Sequence, residues 1–244
     1  RVCTKRKNVA FCGYHGWHDW YLSANINSKK NLDQHLMPGL NFEGLPDNLK
    51  NTSFPFSYND FDYLSKLIDK KKIGIIKMEV MRNIKPKDNF LKKIRNLCDK
   101  KKIILIFDEC TTGYRENMGG IHLKYKVNPD IAIFGKALGS GFAINAIIGR
   151  KKIMQNAEKT FISSTFWGER VGYTAAISSI NEFKRLKAFN KVINNGRSIK
   201  RFWAKLSKKY NIPIDIMGTD AIPSFEFLKN HIKNKTFLTQ EMLK

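Results

Sequence analysis

The sequence predicts an α/β fold, a three-layer α/β/α arrangement around a mostly parallel sheet, followed by the start of a small C-terminal α+β domain. Three observations carry this. Short apolar runs recur at 9–12, 73–80, 103–107, 131–134 and 146–148. Amphipathic helical patterns lie between several of them. After Gly168 the pattern changes to two long helices and then returns to strand composition.

The apolar runs do not alternate with polar residues, which suits strands covered on both faces, as parallel strands are. The run at 9–12 opens the sheet and is followed by Tyr14-His15-Gly16. Segment 60–71 places Phe61, Leu64, Leu67 and Ile68 at helical spacing, and segment 88–101 does the same with Phe90, Leu91, Ile94, Leu97 and Cys98. Asn59 and Asp88 are the expected N-caps, since a short polar side chain can accept from the free N–H groups of the first turn. Strand, helix, strand, helix, strand is the order of an α/β layer. Segments 171–186 and 189–210 read as long helices, the second carrying Phe189, Val192, Ile193, Ile199, Phe202, Trp203 and Leu206. Segment 211–217 reads as a strand. A boundary near residue 187 therefore separates a large domain, 1–186, from a smaller one, 187–244.

The 244 residues contain 42% hydrophobic and 12% aromatic side chains, enough for a sizeable core. The net charge is +23. That suits a binder of nucleic acid, but the lysines are spread along the chain on polar helix faces and helix ends. A solvated basic surface is the expectation, with no nucleic-acid partner. No apolar run approaches the length of a membrane span, about 20 residues, so no membrane partner is expected. The four cysteines, Cys3, Cys12, Cys98 and Cys110, form no C-x-x-C pair. Neither a zinc ribbon nor a disulfide framework is indicated, and a cytoplasmic location is the default. The chain starts with Arg1 and reads as a piece that lacks both ends of a longer protein.

Gly135-Lys136 fails as a phosphate loop, because Ala137 stands where Ser or Thr is needed and Asp130 where the first glycine is needed. No dinucleotide fingerprint and no nucleophile elbow occurs. His15-Gly16-Trp17-His18-Asp19 matches no standard metal spacing, and no metal is expected.

What remains is a set of polar groups at strand ends. Tyr14 and His15 follow the first strand, Glu79 ends the second, Asp108-Glu109 the third and Lys136 the fourth. In a parallel sheet these ends lie along one edge, where ligands bind. An amine, two or three acids and an aromatic ring on one crevice suit pyridoxal phosphate chemistry. The amine condenses with the cofactor aldehyde. An aspartate keeps the ring nitrogen protonated so that the ring accepts electrons.

The blocks Tyr14-His15-Gly16-Trp17-His18-Asp19, Ile106-Phe107-Asp108-Glu109, Thr112-Gly113-Tyr114-Arg115, 129–139 and Ser163-Ser164-Thr165-Phe166 resemble class III, fold-type I pyridoxal-phosphate aminotransferases of the glutamate-1-semialdehyde aminomutase-like branch. The resemblance runs from Arg1 through Gly218 and again over 239–243. It implies that Lys136 is the Schiff-base lysine and proton shuttle. Asp108, 28 residues upstream, pairs with the pyridinium nitrogen. Tyr14 stacks on the cofactor ring, with His15 beside it as participant or hydrogen-bonding support. Cys110 takes the place of a valine on the opposite ring face, Thr111 lies near the phenolic oxygen, and Glu79 orders the site. Thr165 binds the cofactor phosphate of the neighbouring subunit, so a homodimer is expected. The family's glycine-rich phosphate loop would lie upstream of Tyr14, outside the chain. Arg82 and Arg115 are possible clamps for a substrate carboxylate. The partners implied are a small-molecule amino donor and a carbonyl acceptor. Val80 where aminomutases carry proline, and the Trp167-Gly168-Glu169-Arg170 block, favour a transaminase over a mutase; a catalytically inactive fragment or a basic nucleic-acid-binding module is a further alternative.

Overall fold

The computed structural model describes residues 1–165 and 167–244; Phe166, the last residue of the block that begins at Ser163, lies outside the described residues. The chain begins with strand β1 (Val9–Cys12), the short helices α1 (Asp19–Leu22) and α2 (Ala24–Asn27), and β2 (Ser53–Pro55). Helix α3 (Phe61–Lys71), β3 (Ile75–Glu79), α4 (Phe90–Lys101), β4 (Ile104–Asp108) and β5 (Ile131–Phe134) form the repeating part. Strand β6 (Ala146–Gly149), the one-turn helix α5 (Lys151–Met154), α6 (Arg170–Arg185) and α7 (Ala188–Tyr210) follow. The chain closes with β7 (Ile214–Gly218), β8 (Pro223–Phe227) and α8 (His231–Met242).

The six-stranded sheet has the order β2-β1-β3-β4-β5-β6. The first five strands are parallel. Strand β6 runs antiparallel to β5, which corrects the expectation of a parallel strand at 146–148. Only eleven residues separate the two strands, too few for a crossover helix. Nor is β6 buried: Ile147 is 58% and Ile148 56% exposed. It pairs on one side only, at the edge of the sheet. Strand β2 was not legible as a strand, being three residues ending in proline, which an edge tolerates.

Strand alternation sends neighbouring residues to opposite faces. Ala10 and Cys12 join Ile76, Met78, Leu105 and Phe107 in the main core, under Leu64, Leu67 and Ile68 of α3 and Ile94 and Cys98 of α4. Phe11, between them, enters a second cluster with Tyr21, Ala24 and Leu32. A third joins Ala132 and Phe134 of β5 to Ala176 of α6. Burying one such side chain contributes about 1.5–3 kcal/mol.

Both expected N-caps are one residue out. The Asp60 carboxylate accepts from Tyr63 N–H and caps α3. Asn59 is committed elsewhere: it donates to the Lys85 carbonyl and accepts from Lys87 N–H. Asn89 occupies the cap position of α4 in a left-handed conformation and makes no side-chain cap bond. Strands β7 and β8 form a separate antiparallel sheet, against which Trp203 of α7 packs by an edge contact to Phe225, ring centres 4.9 Å apart. No helix among the described residues is long and apolar enough to cross a membrane.

Candidate active site

Register fixes the site. Glu79 of β3 pairs with Asp108 of β4, so the two carboxyl groups stand side by side at the carboxyl ends of adjacent strands. Cys12 of β1 is level with Met78, which brings Gly13 and Tyr14 up to Glu79. The Glu79 carboxylate accepts from Tyr14 N–H at 3.2 Å. Gly13 has φ +101°, and a Cβ there would lie 2.4 Å from Glu79 Oε2, so this close approach needs glycine. Burial, opposed by the nearby Arg82 charge, raises the Glu79 pKa above the usual carboxylate range. Arg82 itself lies 3.8 Å from Glu79 with its side chain half exposed.

Asp108 is 8% exposed and accepts three contacts: His15 Nδ1 at 3.0 Å and Lys77 Nζ at 3.3 Å on Oδ2, and Cys110 N–H at 3.2 Å on Oδ1. Burial would raise its pKa, but His15 and Lys77 outweigh burial and hold it well below the usual range. His15 is buried, and its Nε2 lies 3.1 Å from the Cys12 carbonyl. It therefore supports Asp108 from behind. The Cys110 thiol is pushed up to about 11 by burial and then by Asp108.

Glu109, expected in the same crevice, is not there. It is fully buried and turned to the far side, where it accepts from Thr112, Ile121, and His122 backbone and ring. One residue along a strand end reverses the direction of the side chain, so the site gathers two acids.

Lys136 begins the turn after β5. Its φ is +47°, the left-handed region that non-glycine residues rarely adopt. Gly135, before it, is extended, and a Cβ there would lie 2.2 Å from Asn145 Oδ1 and 3.3 Å from Cys110 Sγ. Lys136 is exposed rather than desolvated. Its Nζ donates to Thr111 Oγ1 at 2.8 Å, and among the described residues it makes no ion pair. It lines a cleft of about 680 Å³ together with Arg115, Phe142, Ile144 and Asn145. Arg115 spends its Nε on the Thr111 carbonyl, leaving its terminal nitrogens uncommitted to that bond. Cys110 and Thr111 thus bridge the Asp108 and Lys136 sides.

Tyr14 is half-buried, its ring edge-on to Trp17 and Tyr21. Thr165 is exposed. It does not cap α6, whose first turn is capped by Glu169 accepting from Val171 N–H. Among the described residues no group of three or more His, Cys, Asp or Glu is set to hold a metal ion. Two participants escaped the sequence reading. Lys77 is the one cation inside β3, with the same parity as Glu79, and that parity was the available signal. His35 gave none: its Nδ1 accepts from Gly13 N–H at 3.2 Å, 22 positions away in sequence.

His35 makes the site's approach loop acid-sensitive. Burial, then the nearby His15, lowers its pKa from 6.5 to about 4. Between those values the unfolded chain binds the proton and the folded one does not. Stability is therefore fully present above pH 6.5 and is lost as pH falls towards about 4, by up to about 3 kcal/mol. Urea unfolding across that range should show the loss. His35→Gln, which keeps an acceptor and does not titrate, should flatten the curve.

Residues 4–243 match the family description Aminotransferase class-III. The 3-aminobutyryl-CoA aminotransferase of Cloacimonas acidaminovorans is 31% identical over 239 residues, covering 94% of this chain and 54% of that protein. A glutamate-1-semialdehyde 2,1-aminomutase of Nitrosopumilus maritimus is 36% identical over 225 residues, 88% of this chain and 50% of that one. The chain thus spans about half the length of the curated relatives it matches. Among solved structures, an omega-transaminase from Sphaerobacter thermophilus superposes with a TM-score of 0.81 at 20% identity, covering 94% of this chain and 56% of that one. That likeness shows the fold alone, while the sequence match reaches further: the chain belongs to the class-III aminotransferases.

Proposed function

We propose that the full-length protein is a pyridoxal-phosphate-dependent aminotransferase that moves an amino group between an amino acid and an aldehyde or keto compound. The observation that carries this is the pairing of a free amine with a charged carboxylate across one short bridge. Among the described residues Lys136 Nζ is held only by the neutral Thr111 hydroxyl, while Asp108 stays ionised at the adjacent strand end. The donor set fits the cofactor. Asp108 can receive a ring N–H on Oδ1, which accepts one bond and has room for a second. The Gly135 backbone, bare of a Cβ, lets a flat ring approach Cys110.

In this reading Lys136 would hold the cofactor and would serve as the proton carrier of the reaction. Its exposure on the cleft gives it the freedom to do both. Asp108 would hold the ring nitrogen, Tyr14 and Cys110 would pack against the ring, and Thr111 orients the Lys136 amine. Glu79 fixes the Tyr14 backbone, and His15 fixes Asp108. When bound, the cofactor supplies an electron-accepting ring for the carbon that loses its proton. Arg115, facing the cleft, receives a substrate carboxylate. Thr165 reaches the cofactor phosphate of a second copy, so the working unit is a homodimer. Residues 1–186 form the cofactor-binding domain and 187–244 belong to a smaller one, a division supported by the separate sheet of β7 and β8. The free buried thiols of Cys12 and Cys98 suit a cytoplasmic setting.

An intramolecular reading, that of a glutamate-1-semialdehyde aminomutase, is favoured by the 36% identity to such an enzyme. Against it stands Val80, where that branch is expected to carry proline. Product analysis decides. The full-length protein with added cofactor should show a visible absorption band and should turn over only when a separate amino donor is present. Turnover of an amino aldehyde without any donor would make it a mutase. A protein that stays colourless with excess cofactor would end both readings.

A further inference from the structure

Asp108 is engaged more heavily than its expected role requires. Oδ2 faces both His15 Nδ1 and Lys77 Nζ, and Oδ1 accepts from Cys110 N–H. A carboxylate offers about four lone-pair positions. Three are taken, and the one left is on Oδ1. Lys77 sits in the middle of β3, on the face that carries Glu79, with only 15% of its side chain exposed. Its Nζ also lies over the Trp20 ring, 5.4 Å from the centre. Trp20 in turn stacks on His15, the ring planes 23° apart. His15, Lys77, Trp20 and Asp108 close into one cluster beneath the site.

The His15 ring lies between two groups that only accept. Nε2 faces the Cys12 carbonyl at 3.1 Å and Nδ1 faces Asp108 at 3.0 Å. A neutral imidazole has one N–H and can satisfy one of them; only the doubly protonated ring satisfies both. Lys77 weighs against the second proton, because it already balances the Asp108 charge through the same oxygen. A protonated His15 would leave the buried cluster with an excess positive charge. Burial acts in the same direction and is the largest influence lowering the His15 pKa, with Asp108 opposing it and Lys77 reinforcing it. The other titratable or charged groups near this end of the sheet are His35, whose own protonation His15 disfavours, Glu79 with Arg82 beside it, and, farther off across Cys110, Lys136.

We propose that Lys77 is a positioning residue: it acts as the resident counter-ion of Asp108, keeps His15 neutral with its single ring proton on Nδ1, and fills Oδ2 so that a ring N–H entering the site meets Oδ1. The last clause rests on the cofactor reading above; the first two do not. A consequence is that one carboxylate is shared between an ammonium and the cofactor ring nitrogen. The ring nitrogen is then held less firmly in its protonated form than by Asp108 and His15 alone.

The test uses the full-length protein and ¹⁵N-resolved titration of the His15 imidazole without cofactor. In the wild type the His15 midpoint should lie below 6.5. Lys77→Met should raise its proton affinity by about tenfold or more, and Lys77→Arg, which keeps the charge, should restore the wild-type midpoint. Lys77→Gln serves if the methionine variant does not fold. A midpoint in the neutral variant within about twofold of wild type, or an arginine variant that behaves like methionine, overturns the proposal. With pyridoxal phosphate labelled at its ring nitrogen, Lys77→Met should move the resonance towards the protonated form at fixed pH. An unmoved resonance overturns the clause on Oδ1. A protein that takes up no cofactor sinks the functional reading, and the His15 titration still decides the role of Lys77.

Discussion

Lys136→Ala in the full-length protein is expected to lower amino transfer by about 10³-fold or more while leaving the fold as stable as before. The loss is large because one residue is asked to do two things, hold the carbonyl group of the cofactor and carry the proton that the reaction moves. Removing a positioned proton carrier alone costs about 10²–10⁴-fold. The fold is spared because the side chain is exposed and makes one hydrogen bond to a neutral hydroxyl. A surface change of that kind shifts stability by about 0.5 kcal/mol. Alanine also inherits the left-handed backbone at φ +47° with no more strain than lysine has. Lys136→Arg should not rescue, since a guanidinium keeps its proton. Borohydride treatment of the wild type should attach the cofactor at residue 136, and the alanine variant should remain unlabelled. A variant that keeps a tenth of the wild-type rate would remove Lys136 from the chemistry.

The positions of Lys136, Asp108, Glu79 and Tyr14 were legible because each follows a short apolar run, and parallel strands put such ends on one edge. Periodicity located α3, α4, α6 and α7 to within a residue or two for the same reason: their apolar stripes are set by the sheet they cover. What escaped reading depends on contacts distant in sequence. Strand β2 is too short to carry a period and owes its existence to pairing with β1. The direction of β6 follows from the length of a loop rather than from its own apolar residues, which would have served either way. Asn59 lost the cap of α3 because the loop at 85–87 claimed its amide. Lys77 was visible as a charge inside an apolar strand, yet its partner, Asp108, is 31 residues away and found only through register. Asp108 and Glu109 look alike on paper; the strand end decides which of them stands with Glu79, His15 and Lys77.

That last distinction predicts the opposite pattern of effects at the neighbouring position. Glu109→Ala should destabilise the protein by about 3–5 kcal/mol, the cost of breaking a buried charged network by deleting one partner. The carboxylate is fully buried and receives Thr112 Oγ1 at 2.6 Å, Ile121 N–H at 3.0 Å, His122 N–H at 3.0 Å and His122 Nδ1 at 2.8 Å. Alanine leaves these donors without an acceptor, in a place water does not reach. Glu109→Gln keeps the volume but turns one oxygen into an amide that donates. On whichever side that amide falls, it meets donors head-on, so a loss of about 1–3 kcal/mol is expected. Urea unfolding measures both. Activity per folded molecule should remain close to wild type in the glutamine variant, because Glu109 points away from the cleft that Lys136 lines. A glutamine variant of wild-type stability whose rate falls a hundredfold would instead bring Glu109 into the reacting set. It would mean that the strand end turns the other way and that Glu109, not Asp108, faces the reacting groups.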